Sequence, residues 1–183
     1  YYDLLEGLGI TDPYEPIFYE DLTDEQQEAL DALNLVEIFK EESASSEPDL
    51  ALIRFCLRHL GQLGDDGVVD AIFENLDSII PTFMHIVKYL SGLRGLSSLE
   101  RTQLGARLLD LGRDSIVSEL PYHRMWIFEP FAQTLEWKNG ERLAKIYEQE
   151  RDQACRRQLV LAMGRAKHQH WFQSQWRRLF EHP

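Results

Sequence analysis

Residues 49–79 read DLALIRFCLRHLGQLGDDGVVDAIFENLDSI, and this stretch decides the fold that the sequence predicts. Apolar residues recur at helical spacing on both sides of a glycine-rich centre. They are Leu50, Ile53, Leu57 and Leu60 before it, and Val69, Ile72, Phe73 and Leu76 after it. Gly61 and Gly64 interrupt the pattern, as turn residues do. The stretch therefore predicts a helix, a tight turn and a second helix. Since each helix has one apolar stripe, the pair needs a neighbouring pair to bury it.

A similar pattern continues along the rest of the chain. Division at 49–79, 80–115, 116–150 and 151–183 gives units of 31, 36, 35 and 33 residues, a period typical of stacked helical hairpins. The sequence predicts an all-α protein, an α-solenoid of about four HEAT-like helical hairpins preceded by an N-terminal helix. Tetratricopeptide repeats have this length, but their Trp, Gly-Tyr, Ala and Pro landmarks do not recur here. An irregular helical bundle is the alternative.

Capping signals mark the helix starts. Thr23 and Gln26 form a capping box that predicts a helix from residue 24 to residue 40, and Ser97 and Glu100 form a second box. Glu41–Glu47 contains three serines and no large apolar residue, so it is predicted to be an exposed loop. The sequence Ser46-Glu47-Pro48-Asp49 is predicted to cap the first helix of the opening hairpin.

The domain organisation follows from these signals. Residues 1–22 have no sustained period, and we interpret them as an irregular acidic lead-in or linker. Residues 23–183 are then a single α-helical repeat domain. Because the chain begins neither with Met nor with a signal peptide, we interpret it as a fragment of a longer protein.

Charge is distributed unevenly in this chain, whose net charge is −12. Residues 1–50 carry 15 acidic side chains against Lys40 alone, whereas residues 151–183 have a net charge of +5. The overall balance argues against bulk affinity for nucleic acid and is compatible with a local basic surface near the C-terminus.

Two further features bear on the compartment. The two cysteines are too few for a disulfide framework, which favours a reducing, cytoplasmic setting. No uninterrupted apolar run approaches the roughly 18–20 residues that a membrane span needs, so no membrane contact is predicted.

Three groups of residues resemble reactive or metal-binding sites, and each has a structural explanation. The pair Asp65-Asp66 lies between helical patterns, so we interpret it as a turn in which an Asp caps the next helix. His168 and His170 have no partner Cys or carboxylate at metal-ligand spacing. Cys155 follows the start of a helix and precedes two arginines, conditions that lower a thiol pKa, yet it lies on an apolar stripe and is expected in the core. No catalytic residue, metal site or cofactor is predicted in this chain.

A basic and aromatic cluster near the C-terminus is the candidate site. Its residues are Arg156, Arg157, Arg165, Lys167, Trp171, Trp176, Arg177 and Arg178. Cations that pair with phosphates, next to rings that stack on bases, are what single-strand binding requires. The alternatives are a solvated helix face, or a surface that receives the acidic segment 1–50 of the same or another chain.

The same region carries a family resemblance. RDQACRR at 151–157, MGRA at 163–166, WF at 171–172 and WRR at 176–178 resemble the helical-repeat region that follows the polymerase core in bacterial defence-type reverse transcriptases, the abortive-infection and unknown-group enzymes. The catalytic signature of that family, an aromatic residue, any residue and two Asp, is absent from this chain. No catalytic residue can therefore be transferred to any position here.

The resemblance implies a function for the module and a context for it. The chain would be the non-catalytic C-terminal part of an RNA-directed DNA polymerase active in antiphage defence. It would hold single-stranded nucleic acid, contribute to a homo-oligomer, or do both, with the polymerase domain upstream in the same chain.

Two other classes of function remain open. HEAT-like repeats also serve as protein-interaction scaffolds, because solenoids present extended surfaces. They occur as well in alkylpurine DNA glycosylases, which would require an Asp and Trp residues on a concave basic groove. Asp114 and Trp126 are the candidate pair for that activity.

Overall fold

All regular structure in the part of the chain that the computed structural model describes is helical. The described residues are 2–9, 19–111, 124–125, 127 and 144–165, and no strand occurs among them. This confirms the predicted all-α class. The chain divides into two compact units, Tyr1–Leu93 and Arg94–Pro183. The single repeat domain predicted over residues 23–183 stays a prediction.

Helices of six to fourteen residues account for most of the first unit. Its described α-helices are α1 (Tyr2–Gly7), α2 (Asp24–Asp31), α3 (Leu35–Ser43), α4 (Leu50–Leu63), α5 (Val69–Glu74), the four-residue α6 (Leu76–Ile79) and α7 (Phe83–Gly92). Short 3₁₀ turns occupy Tyr19–Asp21 and Ile80–Thr82. In the second unit the described helices are α8 (Ser98–Leu111), a helical segment at 144–149 and α9 (Gln153–Arg165).

Part of the lead-in that was predicted to be irregular is helical. Leu5 on α1 and Leu8 just after it are buried, and the Gln26 side-chain amide donates to the Leu8 carbonyl at 3.0 Å. Hydrophobic burial and this hydrogen bond fix residues 2–9 against α2, although the segment is too short for a helical period to be recognised. Residues 10–18 lie outside the described part of the chain.

The predicted helix over 24–40 is two helices. Its start is confirmed, because the Gln26 backbone N–H donates to Thr23 Oγ1 at 3.3 Å and the Thr23 N–H donates to Gln26 Oε1 at 3.0 Å. The chain breaks after Asp31 and restarts at Asn34, whose side-chain oxygen accepts from the Glu37 N–H at 3.2 Å. An Asn side chain that caps its own backbone competes with helix continuation, which explains the break.

Helix α4 is the centre of the first unit. Asp49 caps it as predicted, with Oδ1 accepting from the N–H groups of Ala51 and Leu52 at 2.9 and 3.2 Å. The helix buries Ile53, Cys56, Leu57 and Leu60 and packs chiefly against α3 and α7. Its C-terminus closes at Gly64, where φ is +71°, through hydrogen bonds from Gly64 to Gly61 and from Asp65 to Leu60. This is a Schellman motif, so the predicted turn is present.

The second half of the predicted hairpin differs from the expectation. Asn75 divides it into α5 and α6, and its side-chain amide donates to the Ala71 carbonyl at 3.1 Å. The segment then continues through the 3₁₀ turn with Pro81 into α7, which buries Phe83, Ile86, Val87 and Leu90. As a result, the main helical neighbour of α4 on this side is α7 rather than the helix that follows it directly.

Described residues of the second unit confirm its local signals. The Ser97 N–H donates to Glu100 Oε2 at 2.7 Å and the Glu100 N–H donates to Ser97 Oγ at 3.4 Å, which is the predicted capping box of α8. Leu104 and Leu108 on α8 are buried. On α9 the stripe of Cys155, Leu159 and Met163 is buried as well.

Candidate anion-binding site

Only part of the predicted C-terminal basic cluster falls within the described residues. Arg156 and Arg157 lie side by side on α9 with exposed side chains, and Arg165 is the last residue of that helix. The remaining members lie outside the described residues: Lys167, Trp171, Trp176, Arg177 and Arg178. Their role stays a prediction.

Arg156 has an aromatic neighbour within the protein. Its guanidinium carbon lies 4.7 Å from the centre of the Tyr147 ring, a cation–π distance. The contact joins α9 to the helical segment at 144–149. A stacked guanidinium keeps N–H groups at its edge, so Arg156 can still pair with a phosphate.

The start of α9 is fixed by a charged pair. Arg124 Nε and Nη2 donate to the two carboxylate oxygens of Glu150, each at 3.2 Å. Glu150 Oε1 also accepts from the N–H groups of Arg151 and Asp152 at 3.0 and 2.9 Å. Asp152 Oδ1 in turn accepts from the Cys155 N–H at 2.8 Å and caps the helix. These hydrogen bonds fix the N-terminus of α9, the helix that carries the exposed Arg156 and Arg157.

Both cysteines are core residues. Cys56 on α4 and Cys155 on α9 are fully buried. Burial is the main cause that raises the pKa of each thiol to about 12. Because the thiolate is the reactive form, neither cysteine is a nucleophile at neutral pH. The prediction of a core Cys155 is confirmed.

Asp65 and Asp66 form a turn, as predicted, although the capping role differs. Asp65 Oδ1 accepts from the Gly67 N–H at 2.8 Å, and the Asp65 carbonyl accepts from the Tyr89 hydroxyl at 2.6 Å. The residue before α5 is Val68, which provides no side-chain cap. The carboxylate therefore stabilises the turn itself and not the helix that follows.

A groove between α4 and α7 was not predicted from the sequence. It has a volume of about 330 Å³. Its polar lining consists of Arg58, Gln62, His85 and Lys88, and the rest consists of Leu57, Gly61 and Tyr89. No carboxylate lines this groove in the described part of the chain.

Helices α4 and α7 lie close together beneath the groove. A Cβ atom at Gly61 would lie 3.6 Å from the Cα of Tyr89, and a Cβ at Gly92 would lie 3.6 Å from the Gly61 carbonyl oxygen, which are ordinary van der Waals contacts. This packing brings the basic side chains of the two helices to one surface.

The groove is electropositive. Burial lowers the pKa of His85, and the charges of Arg54, Arg58 and Lys88 lower it further. The Nε atom of Arg54 is buried and has no hydrogen-bond partner within the protein. On the far side, Asp65 and Asp66 are close enough to raise the pKa of the Tyr89 hydroxyl, after burial as the main cause. An anion in the groove could pair with Arg58 and Lys88.

The basic residues of this groove come from two separate parts of the sequence, so they do not form a cluster in the sequence itself. Arg54 and Arg58 are four residues apart on α4, so they share a face, and His85 and Lys88 are three apart on α7. Only the packing of α4 against α7 brings the two pairs together. A predicted pairing of α4 with the helix that follows it directly would separate them.

Within the described ranges, no three His, Cys, Asp or Glu residues are grouped so that they could hold a metal ion. His168, His170, Asp114 and Trp126 lie outside those ranges. The described helices include none with the length and apolar character needed to cross a membrane. Comparison of the chain with protein-family models, curated proteins and solved structures gives no match.

Proposed function

We propose that this chain is a non-catalytic helical module that holds the sugar-phosphate backbone of a single-stranded nucleic acid. The observation that carries the proposal is the groove lined by Arg58, His85 and Lys88 and by no carboxylate of the described residues, within a first unit that is otherwise strongly acidic. Phosphate contacts by Arg and Lys supply most of the affinity of sequence-independent binding. Such binding does not require a catalytic residue or a metal ion in this chain.

The C-terminal residues support the same function. Arg156 and Arg157 are exposed on α9, and the sequence that follows interleaves further basic residues with Trp171 and Trp176. A basic groove can bind the backbone while aromatic rings stack on the bases.

The resemblance to defence-type reverse transcriptases supports a wider context, which we propose as well. In this context the chain is an α-solenoid of HEAT-like hairpins that follows the polymerase domain of a bacterial RNA-directed DNA polymerase, acts in the cytoplasm in antiphage defence and contributes to a homo-oligomer. The gene upstream of Tyr1 tests it directly. A polymerase palm with an aromatic residue, any residue and two Asp is expected there, and an unrelated domain would contradict the proposal.

Fluorescence anisotropy with labelled single-stranded DNA and RNA tests the groove. We expect the full chain to bind both, and the double variant Arg58→Gln/Lys88→Gln to bind all sequences more weakly. The slope of log Kd against log salt should decrease by about one for each phosphate contact that is lost. The matched control is Arg94→Gln/Lys145→Gln, which removes the same charge from two exposed positions outside the groove. Equal effects of the two double variants would show that the groove is not the site.

Variants near the C-terminus separate charge from stacking. Arg177→Ala/Arg178→Ala should weaken binding and flatten the salt dependence, as the groove variant does. Trp171→Ala should weaken binding by about 1–3 kcal/mol with little change in the salt slope, if its ring stacks on a base. A Trp171→Ala effect that disappears at high salt would contradict the stacking role.

One observation favours a second candidate function, a protein-interaction scaffold. Helices α2 and α3 expose a row of carboxylates that fits a basic protein partner: Asp24, Glu25, Glu28, Asp31, Glu37 and Glu41. The same anisotropy experiment separates the two functions. If the full chain binds no strand even at low salt, where charge contacts are strongest, the scaffold function replaces nucleic-acid binding.

A further inference from the structure

A second cavity lies in the first unit, and none of its described lining residues also lines the basic groove. It is formed where the break between α2 and α3 faces the C-terminal half of α4, and its volume is about 190 Å³. An engineered cavity of about 150 Å³ holds benzene, so this cavity has room for a ring. Apolar walls are provided by Leu30, Leu35, Leu60 and Leu63.

The unusual residue in this cavity is His59. It lines the cavity and is only 1% exposed, and neither of its ring nitrogens has a hydrogen-bond partner in the protein. Its ring packs on Phe55 with centroids 4.4 Å apart. A Phe would pack there equally well, whereas a buried imidazole without partners costs about 1–3 kcal/mol for each unsatisfied group. A ligand that bonds to the imidazole would remove this penalty.

The charges around the cavity limit what the ligand can be. Asp31 and Asp65 line it, and in the described part of the chain no Lys or Arg does. Asp31 Oδ2 accepts from the Tyr19 hydroxyl at 2.7 Å, and Asp65 Oδ1 accepts from the Gly67 N–H at 2.8 Å. The second oxygen of each carboxylate can therefore accept a hydrogen bond from a ligand. Such a site repels anions and attracts an ammonium group.

We propose that this cavity binds a small phenolic amine. The ring lies between the leucines, the hydroxyl exchanges a hydrogen bond with the neutral imidazole of His59, and the ammonium group pairs with Asp31 or Asp65. This site is independent of the proposed nucleic-acid binding, because it uses different residues and a ligand of opposite charge.

Isothermal titration calorimetry of the full chain with tyramine tests the proposal. Tyramine should bind, and phenethylamine, which lacks the hydroxyl, should bind about tenfold more weakly, as expected for the loss of one hydrogen bond. The anionic analogue 3-(4-hydroxyphenyl)propionate should not bind. If tyramine at millimolar concentration gives no binding, or if all three compounds bind equally, the proposal is wrong.

Two variants locate the binding site. His59→Phe keeps the ring contact with Phe55 and should weaken tyramine about tenfold while leaving the weaker phenethylamine unchanged. The double variant Asp31→Asn/Asp65→Asn keeps an oxygen acceptor for the Tyr19 hydroxyl and for the Gly67 N–H, and it should weaken both amines because it removes both carboxylates that can pair with the ammonium group. Circular dichroism checks that each variant is folded. If His59→Phe does not fold, the series of analogues and the double variant test the proposal, and unchanged tyramine affinity in a folded variant would overturn the assignment.

Discussion

Burial of His59 on α4 is the main cause that lowers its pKa to about 4, and the charge of Arg58 acts in the same direction. His85 on α7 is shifted in the same direction by burial and by its basic neighbours. Two histidines of the first unit, His59 and His85, therefore have a pKa below that of an ordinary histidine.

This shift predicts a pH dependence of folding. Between pH 6.5 and pH 4 the unfolded chain binds a proton at His59 that the folded chain does not, so stability should decrease as the pH falls through this range. The contribution of His59 is on the order of 3 kcal/mol. Urea denaturation at several pH values should show a smaller decrease for His59→Phe than for the parent chain, with a residual part from His85. Parallel curves would mean that His59 is protonated or solvated in the folded state.

At the scale of the element, two glycines on or next to α4 differ in whether their backbone conformation requires glycine. Gly64 has a φ of +71°, which an L side chain adopts at a cost of about 1–2 kcal/mol. Gly61 is helical, and a Cβ there would make only ordinary contacts at 3.6 Å with Tyr89. Alanine in a helix interior is favoured over glycine by about 1 kcal/mol.

We therefore expect Gly64→Ala to destabilise the protein by about 1 kcal/mol or more, and Gly61→Ala to be neutral or stabilising by up to about 1 kcal/mol. The midpoint of urea denaturation measures both. Destabilisation by Gly61→Ala as large as that by Gly64→Ala would mean that α4 and α7 approach more closely than the 3.6 Å contacts indicate.

The helix boundaries show how much of the fold could be predicted from the sequence. Capping boxes at Thr23 and Ser97 were predicted correctly because their hydrogen bonds span three residues and depend on local chemistry. The breaks at Asn34 and Asn75 were missed, since an Asn within a helical period is compatible with either a helix interior or a new start. The packing of α4 on α7 was missed for the same reason, and with it the basic groove, whose two halves are far apart in the sequence.

At the scale of the whole molecule, the division into Tyr1–Leu93 and Arg94–Pro183 predicts that the first unit folds alone. Its described core includes Phe39, Ile53, Ile72 and Ile86, all at most 1% exposed. Residues 1–93 should show helical circular dichroism and a cooperative thermal transition. A non-cooperative transition with loss of helical signal would show that this core depends on the rest of the chain.

The two buried thiols have a practical consequence. Cys56 belongs to the first unit and Cys155 to the second, and the chain has no other cysteine. Under native conditions, iodoacetamide can alkylate each thiol only after the structure around it opens. Mass spectrometry of the two cysteine peptides would therefore measure the rate of local opening in each unit within one sample. A fluorophore directed to Leu99→Cys, at a position where the leucine is 67% exposed, would label that site while the native thiols stay silent. Each unit therefore contains one buried cysteine that reports its local opening, and a dye can be attached at residue 99 without removal of Cys56 or Cys155.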